Sequence, residues 1–282
     1  MIIGVTGANG YLGNNLVKYI EAHGHTVYSF SRRPDTHSGG FEFQYSLEKG
    51  ISKDILAELD VLIHCAYDFT LLRWDDILKT NVDGPNKLFD DAHEAGVKKL
   101  IFISTMSSYE SCKSNYGRAK QLIEKHIWRY QPVIIKPGLI YGEKAKGMVG
   151  ALRKAIISLP IIPVVGGKKI LYLVHEKDLC EIIYKCATIE NKESIEIIAA
   201  HKQGRTFKEI LELFAHTLKK KRLFFPIPFY LVYSLLRTAE KLHINTGFRS
   251  DSLISLYNQN SNPDFTSLDT MKLSAGDIFA EL

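Results

Sequence analysis

From residue 1 to about 190 the chain alternates short apolar runs with stretches of helical periodicity. Residues 2–5 read as a short buried strand. Residues 12–23 place Leu12, Leu16, Tyr19 and Ile20 on one apolar helix face. Further strands are expected at 26–30, 61–65, 100–104 and 133–136, with a weaker one at 41–45; helices are expected at about 81–95, 116–130 and 178–187. Near-continuous apolar strands alternating with amphipathic helices predict an α/β fold, a doubly wound parallel sheet covered on both faces. After Pro137 the pattern changes. Gly138, Gly142, Gly147, Gly166 and Gly167 punctuate short elements, and beyond 195 come a short strand, a helix, a Pro-interrupted segment, another helix and a polar tail with Asn258, Asn260 and Asn262. That tail suits a surface excursion.

The first strand runs into Thr6-Gly7-Ala8-Asn9-Gly10-Tyr11-Leu12-Gly13, which opens the first helix. Gly7 permits a tight turn, Gly10 a close backbone approach to a pyrophosphate, and Gly13 tight helix packing. Unpaired N–H groups at the helix start attract phosphate. Gly7, Asn9, Gly10, Tyr11, Leu12 and Gly13 are therefore candidate dinucleotide-binding residues; the alternative is a purely structural βα turn. NAD-preferring sites place an acid roughly 20 residues further on. Here the second strand ends in Ser31-Arg32-Arg33, and Asp35 lies beyond Pro34. A small hydroxyl followed by two guanidiniums suits a 2′-phosphate, so NADP(H) is expected ahead of NAD(H). The plainer alternative is two solvated arginines.

Tyr116 and Lys120 stand four apart at the start of a predicted helix, hence on one face. An ammonium beside a phenol, together with an oxidised nicotinamide ring, would lower the phenol's pKa and let Tyr116 act as acid or base in a carbonyl/alcohol interconversion. Ile103-Ser104-Thr105-Met106-Ser107-Ser108 ends the preceding strand, where a hydroxyl can hold a substrate oxygen. Ser107 and Ser108 read as solvated loop, and His64 and His175 as structural.

In order, the glycine loop, the arginine-tipped second strand, Asp60-Val-Leu-Ile-His-Cys-Ala66, Asn81-Val-Asp-Gly84, Ile103-Ser-Thr105, the Tyr116/Lys120 pair, Lys136-Pro-Gly-Leu-Ile-Tyr-Gly142 and Val174-His-Glu-Lys-Asp178 resemble the motifs of the extended short-chain dehydrogenase/reductases, which include nucleotide-sugar epimerases and dehydratases. The resemblance covers about residues 1–190. It implies a Rossmann-type sheet with a smaller C-terminal substrate lobe. Residues 1–140 would form the NAD(P)-binding domain, with 168–190 returning to it, and 141–167 with 191–282 the substrate lobe. It also implies Thr105, Tyr116 and Lys120 as catalytic residues, Asn81 as a support of the site, Ala66 lining the cofactor, and Pro137 and Leu139 meeting its nicotinamide end. Three positions depart from the pattern. Ser46-Leu47 stands where many relatives have an acid beside the adenine, Lys136 replaces an Arg, and the stretch from Thr105 to Tyr116 is short. The last puts sugar-nucleotide specificity in doubt while leaving hydride chemistry intact. The length is short for the family, which predicts a trimmed substrate lobe.

The expected activity is an NADP(H)-dependent interconversion of a carbonyl and a secondary alcohol on a small molecule, with a nucleotide sugar as one substrate class. The alternatives are an NAD(P)-dependent sugar-nucleotide epimerase or dehydratase, a reductase of a lipid- or steroid-like ketone, and a non-catalytic NADP-binding regulator. Arg205 and Arg249 are diphosphate clamps by analogy only. Net reduction is preferred over epimerisation because of the arginine-tipped strand.

Composition adds limits. Hydrophobic residues make up 45% and charged residues 24% of 282, ordinary for a globular chain that needs neither disulfide nor metal for its core. The formal charge of +5 is too small to indicate nucleic acid. Cys65, Cys112, Cys180 and Cys186 have neither CxxC nor zinc-ligand spacing. Reduced thiols, no metal and a cytoplasmic location are expected. The chain opens directly on a strand rather than a leader, and no apolar run reaches the roughly 20 residues of a membrane span. Lys219-Lys220-Lys221-Arg222 precedes the aromatic-apolar run 223–231. Such a pair of runs can touch an anionic membrane, but a solvated helix end followed by a packed segment is the preferred reading. A homodimer is left open.

Overall fold

The computed structural model describes residues 1–34, 40–190, 193–244 and 246–276; Asp35 lies outside them. In chain order the first elements are β1 (Ile2–Thr6), α1 (Tyr11–Ala22), β2 (Thr26–Ser31), β3 (Phe41–Gln44), α2 (Lys53–Ala57), β4 (Val61–His64), α3 (Trp74–Leu78), α4 (Gly84–Glu94), β5 (Lys99–Ile103), α5 (Asn115–Ile127) and β6 (Val133–Pro137). They continue as β7 (Leu139–Tyr141), α6 (Gly147–Ser158), β8 (Ile161–Val164), β9 (Ile170–Leu171), β10 (Leu173–His175), α7 (Glu176–Thr188), β11 (Ile195–Ala199), β12 (Arg205–Thr206), α8 (Phe207–Thr217), β13 (Leu223–Pro226), α9 (Phe229–Lys241), α10 (Ser250–Tyr257) and α11 (Thr266–Thr270).

Seven strands form one parallel sheet in the order β11-β6-β5-β4-β1-β2-β3. The order reverses at β1, as in a doubly wound Rossmann sheet. Alternation along each strand divides the core in two. Ile3, Val5, Ile63, Ile101, Ile103 and Ile135 pack with α1 and α7 through Leu16, Ile20, Leu179 and Ile183. On the other face, Phe30, Leu62, Phe102 and Ile134 pack with α4 and α5 through Leu88, Phe89, Ile123 and Ile127. The central strands are buried on both faces, which explains apolar runs such as Val61–Ile63, Leu100–Ile103 and Val133–Ile135.

The motif resemblance predicts residues 191–282 in the second lobe. Ile195–Ala199 instead forms the sheet's edge, in register with Val133–Pro137. The polar tail is also less peripheral than its composition suggests. Leu268 and Leu273, at α11 and just past it, are buried in the same core as the sheet. Two leucines among polar residues make a docking contact that composition averages away. The smaller lobe has its own core, with Val149 and Ile156 of α6, Ile162 and Val164 of β8, and Phe207, Ile210 and Leu211 of α8. Its short sheets pair β7 with β10, β9 with β12 and β8 with β13.

The expected helix at 81–95 starts earlier, at Trp74, and passes through a wide π-helical turn at Lys79–Asp83. Pro85 explains the turn: with no N–H it cannot bond the carbonyl four residues back, at Asn81, and a π turn accommodates the mismatch. Among the described residues no helix is long and apolar enough to cross a membrane. All four cysteines are free thiols.

One charged cluster lies inside the fold. Lys136 Nζ sits 3.1 Å from Glu124 Oε2 and 2.7 Å from Glu196 Oε2, and Ser104 Oγ donates to Glu124. Burial still holds the Glu124 carboxyl above its usual range, although Lys136 and the serine pull it down. Removing one partner of such a cluster strands the other. Lys136→Ala should therefore cost about 3–5 kcal/mol in urea unfolding, while Lys136→Met combined with Glu124→Gln should recover most of the loss.

Candidate active site

The loop after β1 is as tight as its glycines allow. Gly7 has φ +71°, and a Cβ there would lie 3.0 Å from the Ala66 backbone. A Cβ on Gly13 would collide with the Gly7 carbonyl. Gly10 caps α1 with no side-chain acceptor, and the first turn contains no acid. The N–H groups of that turn, at Tyr11 and Leu12, have no acceptor within the helix. This is a cradle shaped for an anion, and it fits a dinucleotide pyrophosphate. The Tyr11 side chain points to other work: its hydroxyl donates to Glu176 at the start of α7, and Asn15 Nδ2 donates to the same carboxylate at 2.9 Å. Burial and this acid hold the Tyr11 phenol well above its ordinary pKa.

At the tip of β2, Asn9 Nδ2 donates to Ser31 Oγ at 3.1 Å and to the Arg33 carbonyl at 2.6 Å, linking the loop to the second strand. Arg32 and Arg33 are exposed. Arg32 lies 3.3 Å from Asp68, an acid on the loop after β4 that carries no sequence motif. Asn81 sits in the π turn and grips that loop from both sides, accepting from Asp68 N at 2.7 Å and donating to Asp68 O at 3.0 Å. Both of these bonds are to backbone. Ala66 starts the same loop, and Pro137 and Leu139 flank the crossing from β6 to β7. All these positions line the C-terminal edge of the sheet, where doubly wound folds bind ligands.

Thr105 follows β5, and its hydroxyl is hydrogen-bonded to Tyr116. Lys120 is buried one helical turn below Tyr116, with Nζ donating to the Ile103 carbonyl at 2.7 Å and lying 4.6 Å from the centre of the Phe102 ring. Burial lowers the Lys120 ammonium to about 8. The Tyr116 phenol is shifted as well. Burial pushes it up to about 12, against the hydrogen bond from Thr105. Removal from water disfavours each charged form, so one cause explains both shifts.

The second lobe completes this site, and sequence gave no warning of it. Asp251 on α10 accepts from Asn115 N at 2.7 Å and Tyr116 N at 3.0 Å, so a carboxylate from the other lobe caps the helix that carries Tyr116. Ser114 adds the ordinary cap, accepting from Gly117 N at 3.1 Å. Arg249 was a diphosphate-clamp candidate. It instead donates to the carbonyls of Phe69 and Leu71, the latter at 2.8 Å. That grip fixes an aromatic wall. Tyr67 stands edge-on to the Tyr116 ring at 4.9 Å between centres, and Phe69 lies 5.5 Å away and 57% exposed. A signal for the wall existed: both aromatics follow a strand end directly, where ligands bind. His64 is buried with Nδ1 2.8 Å from Thr6 Oγ1, and burial and the nearby Lys120 charge lower its pKa; His175 caps α7.

The comparisons agree with this geometry. The sequence model of the NAD dependent epimerase/dehydratase family matches residues 3–198. A protein named ceramide reductase from Caulobacter vibrioides is 24% identical over 235 residues, 80% of this chain and 74% of that one. A ketoreductase from Stigmatella aurantiaca, named for a farnesylated dihydroquinoline oxide, is 23% identical over 63% of this chain and 61% of its own length. The solved UDP-glucose 4-epimerase of Thermotoga maritima shares the fold, with a TM-score of 0.75 at 16% identity over 100% of this chain and 96% of that one. With the family matched across the sheet and every motif at its edge, the chain belongs to the NAD dependent epimerase/dehydratase family, enzymes of the extended short-chain dehydrogenase/reductase kind.

Proposed function

We propose that this protein reduces a ketone on a lipid-like molecule, using NADPH. The aromatic wall of Tyr67 and Phe69 beside the Tyr116 phenol is the observation that carries this reading. It offers apolar surface where a sugar would need hydrogen-bonding partners. The assignment of Arg249 to backbone carbonyls supports the same reading, because it leaves that guanidinium engaged in holding the wall. Two relatives carry names that refer to a sphingolipid and a farnesylated ketone.

In this reading Gly7, Gly10, Tyr11, Leu12 and Gly13 hold the pyrophosphate through backbone. Asn9 and Ser31 set the loop against β2, and Arg32 and Arg33 take the 2′-phosphate. Ala66, Asn81, Pro137 and Leu139 shape the path toward the nicotinamide, which supplies hydride when bound. A phenol held near 12 is protonated at neutral pH, the correct state to donate a proton to the carbonyl oxygen during reduction. Thr105 orients that hydroxyl. Lys120 keeps a positive charge behind it and stabilises the phenolate left after transfer. The Arg32–Asp68 pair is no obstacle to a phosphate, since an exposed ion pair is worth only about 0–1 kcal/mol. A nucleotide-sugar epimerase or dehydratase is the second reading, favoured by the shared fold with UDP-glucose 4-epimerase.

Three outcomes test this. In an assay following NADPH absorbance, long-chain ketones should be turned over and keto-sugar nucleotides should not, and Tyr116→Phe should lower kcat by about 10²–10⁴-fold. Turnover of keto-sugar nucleotides alone would favour the second reading. Direct titration should show NADPH binding more tightly than NADH. Arg32→Ala should weaken NADPH by about 10-fold or more while leaving NADH nearly unchanged; equal affinities in the wild type would remove the 2′-phosphate assignment. Lys120 is cationic below about 8 and neutral above it, so kcat for reduction should fall as pH rises through that value. Lys120→Met should be slow and should lack this limb.

A further inference from the structure

The smaller lobe carries an apolar surface that its own packing leaves uncovered. β8 and β13 pair in parallel, Leu223 beside Ile161 and Phe225 beside Pro163. Their inward residues, Ile162, Val164 and Phe224, join the core of the lobe. A small sheet with one solvated face normally alternates apolar with polar residues. Here the outward face is apolar too, with Leu223 70% and Phe225 62% exposed and Ile161 and Pro163 exposed beside them. β13 leads through Pro226-Ile227-Pro228 straight into α9. That helix packs Phe229, Val232, Tyr233 and Leu236 inward, yet turns Tyr230 (79% exposed), Leu231 and Leu235 (71%) outward. Leu242 and Ile244 continue the exposed apolar line past its end. Among the described residues, ten of the eighteen exposed large apolar side chains fall within 157–161 and 223–244, so the exposure is concentrated rather than scattered.

The charges along this surface are one-sided. From Lys219 to Ile244 the chain has Lys219, Lys220, Lys221, Arg222, Arg237 and Lys241 against a single acid, Glu240. Arg222 is committed to the fold: its Nε donates to the Ile156 carbonyl at 2.6 Å and its Nη2 to the Ile157 carbonyl at 3.1 Å, fixing the basic strip against the end of α6. Glu240 is also engaged, accepting from Ser250 N and Oγ at 2.8 Å. Lys219, Lys220 and Lys221 are exposed and make no ion pair among the described residues. Exposed lysines next to outward Leu, Phe and Tyr form an interfacial pattern, in which apolar groups enter the acyl boundary and cations meet anionic headgroups.

We propose that this face, the outer side of β8 and β13 with α9, docks on the surface of an anionic lipid bilayer. The charge pattern selects this occupant over a second copy of the chain, because a copy would bring the same exposed lysines, Lys219, Lys220 and Lys221, to the interface. Docking is superficial, since α9 is 13 residues long and no described helix can span. It is independent of the substrate assignment and holds for either reading of the chemistry.

The test is co-sedimentation of the full chain with large unilamellar vesicles of phosphatidylcholine alone, and with roughly one-third phosphatidylglycerol added. The protein should pellet with the anionic vesicles only and be released as salt is raised. Two variants, Lys219→Glu with Lys220→Glu and Lys221→Glu, and Leu231→Ser with Leu235→Ser, should each weaken binding by about 10-fold or more, with unchanged midpoints of thermal unfolding. Failure to pellet with anionic vesicles would overturn the proposal. So would equal binding to neutral vesicles, or a dimer in sedimentation velocity that the leucine variant dissociates.

Discussion

The site is organised around a buried ammonium. Lys120 lies inside the fold with one carbonyl acceptor, Ile103 O, and the face of Phe102 in place of water. Burying a charge this way is costly, which is why its ammonium is depressed to about 8. Its helix and the end of β5 must stay in one relation for that single acceptor to remain in reach. The same relation places Thr105 against Tyr116. Core packing alone would favour an apolar side chain at this position, so the lysine is a chemical requirement that the fold sustains.

A site of this kind needs its helix held at both ends, and the two lobes divide the task. The Lys136–Glu124–Ser104 cluster ties the middle of α5 to β5 and β6. The N-terminus of α5 is held by the Asp251 carboxylate from α10. Two residues earlier on the same segment, Arg249 secures the carbonyls beneath the aromatic wall. One short stretch of the smaller lobe therefore holds both the helix start at Tyr116 and the aromatic wall beside it. Movement of that lobe would alter acid strength and substrate fit together, because the cap sets the field at the helix start.

The parts legible in the sequence were those with local spacing. The glycine loop, the strand alternation and the Tyr116/Lys120 pair each lie within a few residues, and backbone geometry turns such spacing into position. Asn81 was legible only through a resemblance, since the π turn that aims it arises from Pro85 four residues on. The contacts of Asp251, Arg249 and Glu176 were not legible: each acts across more than 130 residues of chain, and no spacing signature points to its partner. Helical spacing puts a lysine near a tyrosine, but it does not reveal how far burial raises the phenol. The outward apolar face of the smaller lobe was similarly hidden, because a run such as Leu223-Phe224-Phe225 reads as core until the pairing with β8 shows which side is covered.

The modest positive charge takes on a different meaning once it is divided by place. Arg32 and Arg33 stand beside the phosphate cradle, where Asp68 tempers one of them. Lys219, Lys220 and Lys221 stand on the far lobe beside apolar surface. In the reading proposed above these two groups meet different anions, one a discrete ligand and the other an extended surface, and they are built differently. The backbone that carries the first is tied to the loop, with Asn9 donating to Ser31 Oγ and to the Arg33 carbonyl. The second projects freely from a strip that Arg222 anchors through backbone carbonyls. Free lysines suit a fluid array of headgroups, since a flexible point charge can follow a moving partner and a fixed guanidinium fork cannot. A ketone that partitions into lipid would be concentrated at such a surface, so an apolar wall at Tyr116 and a basic apolar lobe answer one solubility problem at its two ends.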